Sequence, residues 1–308
     1  METIMARMTT AELRGYHQIC GSDGAMMVIA CDQRGSMRTL LSSDKDEQAR
    51  ISNDTLGDVK ADITRYLASK ASCVLVDPVC AVPRLVDRGV IDRSTALLIG
   101  LDASGWDTTP EGYRLSKLVD GITARRVREH GGTGGKIMVY LRSDTPAANI
   151  HNIAILDQVI ADFAKEDLLL VVEFLTYALE GESSETYAAK IPDLIQGGSQ
   201  ICLDHGAKVL KIPYPGSAES CAEVTKLAGD VPWAVLSAGV NHETFLGQVD
   251  VAMANGASGV IAGRSLWKDC ISLDRAVTRR RLETIAVPRL REIQAVIARH
   301  RAPAVKVA

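Results

Sequence analysis

The sequence predicts a single (β/α)8 barrel, the TIM-barrel class, and three observations carry that expectation. Eight short apolar runs recur along the 308 residues, each is followed by a stretch with helical patterning, and nearly every run ends in an ionisable residue or a glycine. Alternation of this kind implies parallel strands joined by right-handed crossovers. No GxGxxG follows the first run, which favours a closed barrel over a doubly wound sheet, the alternative architecture. The whole chain, 1–308, is expected to form one domain. Its barrel strands fall over about 26–264, with an N-terminal helix before them and extra C-terminal helices over about 268–301.

Residues 1–20 read as a helix, with Thr9 or Thr10 placed to cap it ahead of Ala11-Glu12-Leu13. The stretch 26–31 is continuously apolar, the mark of a strand covered on both faces, and it ends in Asp32-Gln33-Arg34. Polar–apolar patterning over roughly 45–70 predicts a long helix. The next two runs, Cys73–Val76 and 96–101, end in Asp77 and Asp102; a loop over 105–110 and a helix over about 114–130 follow. The glycine-rich 131–135 precedes a strand, 136–141, instead of following one. It is therefore no phosphate loop and reads as a flexible helix-to-strand turn. The strand over 168–174 carries Glu173 at its end, and the one over 208–214 holds Lys211. Trp233–Leu236 leads into Ser237-Ala238-Gly239, and Gly259–Ala262 into Gly263-Arg264. Helices over about 147–165, 184–205, 217–229 and 242–255 separate these strands. Pro288 sits at a tolerated first-turn position of the last helix. That helix carries Ile293, Val296 and Ile297, which would pack on the barrel or on a second subunit, so a homo-oligomer is the expected state.

Composition excludes several function classes. The chain is 46% hydrophobic and 24% charged with a net charge of −3, as in an ordinary globular protein and unlike a general nucleic-acid binder. No apolar run approaches the roughly 18 residues of a spanning helix, so no membrane partner is expected. The mixed charge of the first twenty residues is unlike a signal peptide. Seven scattered cysteines without a CxxC support neither structural zinc nor a disulfide framework, which makes a reducing cytoplasm the expected compartment. Neither a metal nor a cofactor is implied.

In such a barrel the working residues gather at the C-terminal ends of the strands. Asp77 and Asp102 at those ends could be explained as caps of the following helices. Capping does not explain Arg34, Glu173 and Lys211 together; they imply one polar cavity. A lysine kept at low dielectric among other cations loses its proton readily and can attack a ketone to form a Schiff base. Glu173, one strand earlier, is the candidate acid/base. Lys136 would lower the Lys211 pKa by like-charge repulsion if it faced the same cavity, although it stands at the start of its run, where a solvated lysine is the competing reading. Ser237, Gly239, Gly263 and Arg264 close the last two strands, the usual phosphate position in barrels of this kind.

These residues resemble the class I aldolases of the tagatose 1,6-bisphosphate aldolase family. The segments that carry the resemblance are Ala30-Cys31-Asp32-Gln33-Arg34, Leu141-Arg142-Ser143-Asp144, Val209-Leu210-Lys211-Ile212-Pro213, Trp233 to Val240, and Gly256 to Trp267. The resemblance implies a metal-free aldolase. It would cleave a ketose 1-phosphate, either a 1,6-bisphosphate such as tagatose 1,6-bisphosphate or 6-deoxy-6-sulfofructose 1-phosphate, into dihydroxyacetone phosphate and a three-carbon aldehyde. Lys211 would be the Schiff-base lysine, Lys136 the second lysine and Glu173 the acid/base. Asp32, Gln33 and Arg34 would meet the substrate, with Asp32 among the catalytic groups; Ser237, Gly239, Gly263 and Arg264 would hold the 1-phosphate. Arg142 and Arg34 would serve a 6-phosphate or a 6-sulfonate equally well. The chain departs from the family pattern at Ile212 and over Phe174-Leu175-Thr176-Tyr177. A metal-independent phosphosugar isomerase or epimerase on the same barrel, and a non-catalytic sugar-phosphate sensor, are the competing functions.

Overall fold

The computed structural model describes residues 8–301, and the expected barrel is there. Eight parallel strands close on themselves: β1 (Met26–Ala30), β2 (Cys73–Val76), β3 (Ala96–Gly100), β4 (Gly134–Tyr140), β5 (Leu169–Leu175), β6 (Leu210–Ile212), β7 (Trp233–Leu236) and β8 (Gly259–Ala262). Each pairs with its neighbours in sequence, and β8 returns to β1. Because side chains alternate across a strand, the runs supply two apolar layers. One face of each strand joins the helices in a large outer core that includes Ile29, Val74, Ile137, Val172, Ile212 and Val235. The other face fills the barrel itself with Met26, Val28, Cys73, Leu75, Leu98, Leu169, Val171, Val209, Ala234 and Ile261.

The N-terminal helix closes the lower end of the barrel. Thr9 caps Thr10–Ile19 in a capping box with Glu12, and Ile19 is fully buried at the foot of the interior layer. Residues 1–7 of the expected helix lie outside the described residues. Contacts at Gly15 are close: a methyl there would stand 3.1 Å from Leu169 Cβ and 3.2 Å from the Thr133 carbonyl.

Three segments differ from expectation, and a fourth settles an alternative that was open. The long helix over 45–70 is two helices, Lys45–Arg50 and Asn53–Leu67, because Ser52 accepts the Thr55 N–H and starts the chain afresh. The helix over 114–130 shrinks to Ala124–Glu129. Before it, Asp107–Thr108 and Arg114–Leu115 form an antiparallel ribbon, and Gly121 takes a left-handed turn at φ +68. The glycine run is not a flexible turn beyond Gly131 (φ +76), since Gly134 and Gly135 belong to β4. They are small because neighbours crowd them: a Cβ on Gly134 would lie 2.5 Å from the Leu169 carbonyl oxygen, and one on Gly135 2.3 Å from Phe163 Cζ. Finally, Ile293, Val296 and Ile297 are buried within the chain, where Val287–His300 packs on His242–Ala254. That apolar face is spent internally and offers nothing to a second subunit.

Gly135→Val drives a side chain into the ring of Phe163 and pries the helix Ile150–Lys165 off the barrel. Overpacking of this kind costs about 1–3 kcal/mol or more. Urea unfolding should report a lowered midpoint, and an unchanged midpoint would refute the close-packing account of the glycine run.

Candidate active site

The inward alternation of five strands continues past the apolar layer and turns polar at its upper end. On β1, Met26, Val28 and Ala30 lead to Asp32; on β3, Ala96 and Leu98 lead through Gly100 to Asp102; on β5, Leu169 and Val171 lead to Glu173; on β6, Val209 leads to Lys211. On β4, Gly134 leads to Lys136, whose outward neighbours Ile137 and Val139 join the outer core. Strand β4 begins two residues before the apolar run does, so Lys136 is an interior residue and not a solvated strand start. It stands level with Gly100 and Val171, one step below the level of Glu173 and Lys211.

Those side chains form one charged cluster. Lys136 Nζ donates to Asp102 Oδ1 at 2.5 Å and lies 2.8 Å from Asp32 Oδ2 and 3.1 Å from Glu173 Oε2. Lys211 Nζ donates to the same Glu173 Oε2 at 2.8 Å. Both lysines and Glu173 are buried. Burial works to discharge Lys136, yet Asp102, Asp32 and Glu173 more than offset it and hold its pKa well above the ordinary lysine value. The two aspartates are driven apart. Burial would raise Asp32, but Lys136 and Lys211 override it and keep that carboxyl far below the usual carboxylate range. Burial wins at Asp102 and raises it, with Asp32 and Glu173 adding to the effect. Three carboxylates converge here on the Lys136 ammonium. Repulsion between Lys136 and Lys211 is therefore screened by the carboxylate they share.

Beside the lysine lies a cavity of about 130 Å³ lined by Gln33, Glu173, Lys211, Ser237, Gly263 and Arg264 among others. Gln33 Nε2 donates to Asp32 Oδ1 at 3.0 Å, while its Oε1 is buried without a partner among the described residues. Ser237 Oγ accepts the Gly263 N–H at 3.3 Å and so ties the ends of β7 and β8 together. Ala238 (φ +45) and Gly239 (φ +83) follow in left-handed conformation, a strain of about 1–2 kcal/mol at the alanine. Arg264 packs on that turn, 3.4 Å from where a Gly239 side chain would begin, and no carboxylate of the described residues pairs with it. A roomier cleft of about 640 Å³ opens at the foot of the barrel near Arg14, His17, Arg93 and His130. It is lined also by Cys20, but burial pushes that thiol up to about 11, whereas the smaller cavity holds Lys211 beside Glu173.

Two expected substrate ligands are engaged elsewhere. Arg142 is fully buried, with its guanidinium donating to Asp144 at 2.8 and 2.9 Å, to Glu182 at 2.6 and 3.1 Å and to the Tyr177 carbonyl at 2.6 Å. It clamps the loop after β5 and has no donors left for a substrate anion. Arg34 donates to Ser104 Oγ at 3.1 Å and to the Asp102 carbonyl at 2.8 Å, and it lies 3.7 Å from Asp77. It holds the start of the β3 loop in place. Asp77 is not the cap of the next helix, Val82–Asp87, which starts from Ala81 without a side-chain cap; it accepts the Val79 and Cys80 N–H groups of the intervening turn and pairs with buried Lys60. Asp102 is no cap: it belongs to the charged cluster. Its signal in the sequence was the inward alternation of β3 combined with the absence of a helix after it.

The sequence model of the DeoC/LacD family aldolases matches residues 26–269. The tagatose 1,6-diphosphate aldolase of Listeria monocytogenes serotype 4b is 26% identical over 298 residues, covering 87% of this chain and 85% of that one. Tagatose 1,6-diphosphate aldolase 1 of Streptococcus mutans serotype c is 24% identical over 318 residues, covering 94% and 96%. Among solved structures, a Schiff-base-forming fructose-1,6-bisphosphate aldolase superposes with a TM-score of 0.63 at 19% identity over 92% of this chain and 98% of that one. The fructose-bisphosphate aldolase of Slackia heliotrinireducens does so with 0.63 at 18% identity, over 96% and 92%. At those identities the likeness is one of fold.

Lys136→Met removes the buried cation common to three carboxylates. The expected loss at pH 7 is about 3–5 kcal/mol. Without Lys136, Asp102 loses the neighbour that draws its carboxyl down while burial, Asp32 and Glu173 still raise it, so the native state binds more protons than the unfolded one and gains stability as pH falls. Urea titrations of both proteins at pH 7 and pH 5 should find the gap narrower at pH 5; a gap independent of pH would contradict this assignment.

Proposed function

The chain belongs to the DeoC/LacD family of aldolases, carbon–carbon lyases, and on that premise we propose that it is a class I enzyme cleaving a ketose 1-phosphate through a Schiff base on Lys211. The products would be dihydroxyacetone phosphate and a three-carbon aldehyde. The observation that carries the reading is the 2.8 Å contact between Lys211 Nζ and Glu173 Oε2 on adjacent strands, at the wall of a cavity that also reaches Arg264. Transfer of one proton along that contact frees the amine. The amine adds to the ketone carbon, and Glu173 returns the proton to the carbinolamine oxygen as water leaves. The resulting iminium accepts the electron pair of the C3–C4 bond. Glu173, again a carboxylate, takes the proton of the C4 hydroxyl, and the aldehyde departs. Protonation of the enamine and hydrolysis then release dihydroxyacetone phosphate.

The surrounding groups have parts in this scheme. Lys136, held cationic by its neighbours, lies 3.1 Å from Glu173 Oε2 and orients that carboxylate. Asp32 and Gln33 face the sugar hydroxyls, and the unpartnered Gln33 oxygen is suited to one of them. Arg264 and the Ser237–Gly239 turn, with Gly263, would receive the 1-phosphate; a guanidinium matches phosphate oxygens bidentately. The activity is assigned to the barrel and its C-terminal helices as one unit, working in a reducing compartment such as the cytoplasm. All seven cysteines are free, and no described helix is long and apolar enough to cross a membrane, which accords with that placement.

Borohydride treatment in the presence of dihydroxyacetone phosphate should add the reduced triose to Lys211, as peptide mass mapping would report. No adduct on residue 211 would end the proposal in favour of isomerase chemistry or simple ligand binding. Glu173→Gln should lower kcat by about 10²–10⁴-fold, the usual worth of a positioned acid/base. A variant cleaving at the parent rate would remove Glu173 from the mechanism.

A further inference from the structure

A second arginine, besides Arg264, stands at the barrel mouth without an ion-pair partner among the described residues. The Arg114 guanidinium lies 3.9 Å from the ring centroid of Trp106, 4.8 Å from that of Tyr177 and 5.1 Å from that of Tyr140. The rings themselves meet edge to face, Trp106 with Tyr140 at 5.4 Å and Tyr140 with Tyr177 at 5.9 Å. The three rings bracket the planar cation, no carboxylate of the described residues takes up its N–H donors, and a guanidinium so placed suits a tetrahedral oxyanion. Trp106 is 42% exposed, an unusual position for tryptophan unless it borders a site.

Arg114 is also fixed in place. Its N–H donates to Tyr177 Oη at 3.1 Å, and its carbonyl accepts from Asn152 Nδ2 at 2.8 Å. The same amide holds the Tyr140 carbonyl at 2.8 Å. Lys117 and Asp107 pair across the ribbon at 2.8 Å, and the excursion is closed at its base by a bridge between Asp102 and Leu118. Thus the loop bearing Trp106 and Arg114 leaves the barrel directly from a carboxylate of the charged cluster. Tyr140 stands level with Leu175, which lines the reaction cavity.

Strand order gives this arginine its meaning. Around the barrel the sequence is β8, β7, β6, β5, β4, β3, so the β7–β8 ends lie diametrically opposite the β3–β4 ends. Crossing the mouth from one to the other meets Arg264 and the Ser237–Gly239 turn first, then Lys211 on β6, then Glu173 on β5, and last Arg114 beside β4. A ketose 1-phosphate presents its groups in that order: the 1-phosphate, the C2 ketone, the C4 hydroxyl and the terminal carbon. We infer that Arg114 is a specificity-determining residue, which binds a tetrahedral oxyanion, phosphate or sulfonate, on the terminal carbon of the substrate. This inference rests on the aldolase reading above.

The test compares the intact chain with Arg114→Ala and Arg114→Lys on three probes: a ketose 1,6-bisphosphate, the corresponding 6-deoxy-6-sulfoketose 1-phosphate, and the ketose 1-phosphate lacking a terminal anion. Arg114→Ala should lower kcat/KM on the preferred dianionic probe about 100-fold, chiefly through KM, the worth of a charge-assisted contact. It should leave cleavage of the singly anionic ketose within about threefold, and Arg114→Lys should recover about tenfold. The better of the first two probes identifies the oxyanion. Equal losses on all three probes would make Arg114 a mere prop for its loop, and no loss on any would place the far-end contact elsewhere; either overturns the inference while borohydride adducts on Lys211 still form. Failure of those adducts in the parent protein overturns the aldolase reading itself.

Discussion

One carboxylate oxygen between two buried ammonium groups is the constraint on which the site depends. Glu173 Oε2 lies 2.8 Å from Lys211 Nζ and 3.1 Å from Lys136 Nζ. Burying any of these charges alone would cost several kcal/mol, so each is held in place by the others. The two lysines are chemically equivalent as residues but not as sites. Lys136 touches three carboxylates and is locked as a cation; Lys211 touches one, and that one can take its proton.

Packing below the cluster makes that inequality possible. Lys136 rises from a lower level of the barrel than Lys211, beside Gly100 and above Gly134, positions where a larger side chain would collide with neighbours or occupy its path. Glycines at those places are thus part of the electrostatic design, because they let a long side chain run upward through an otherwise filled interior. Arg34 contributes from outside by gripping the Asp102 carbonyl, and Asp77 anchors that grip together with Lys60. A second ring of ion pairs therefore positions the first.

The mouth is polarised across its width. Arg264 at the β7–β8 ends and Arg114 beside β4 stand at opposite sides, with Lys211 and Glu173 on the two strands between. Arg142 is paired with carboxylates and holds a loop, whereas Arg264 and Arg114 have no carboxylate partner among the described residues.

The amino-acid sequence by itself determined the barrel, because eight apolar runs separated by helical stretches admit few other ways of burying both strand faces. It also marked Lys211, Glu173, Asp32 and the Ser237 and Arg264 turns, since each extends or follows a run whose alternation points inward. Only the tertiary structure decided which charge meets which. From sequence Asp102 reads as a possible cap, Lys136 as a residue at the wrong end of its strand, and Arg142 and Arg34 as substrate ligands, because pairing depends on strand stagger and loop closure. Residues 34 and 77, or 142 and 182, are brought together by the winding of the barrel. No local pattern encodes those meetings: periodicity reports which face a residue takes, whereas the partner it finds there is set by the register between strands and the path of the loops above them.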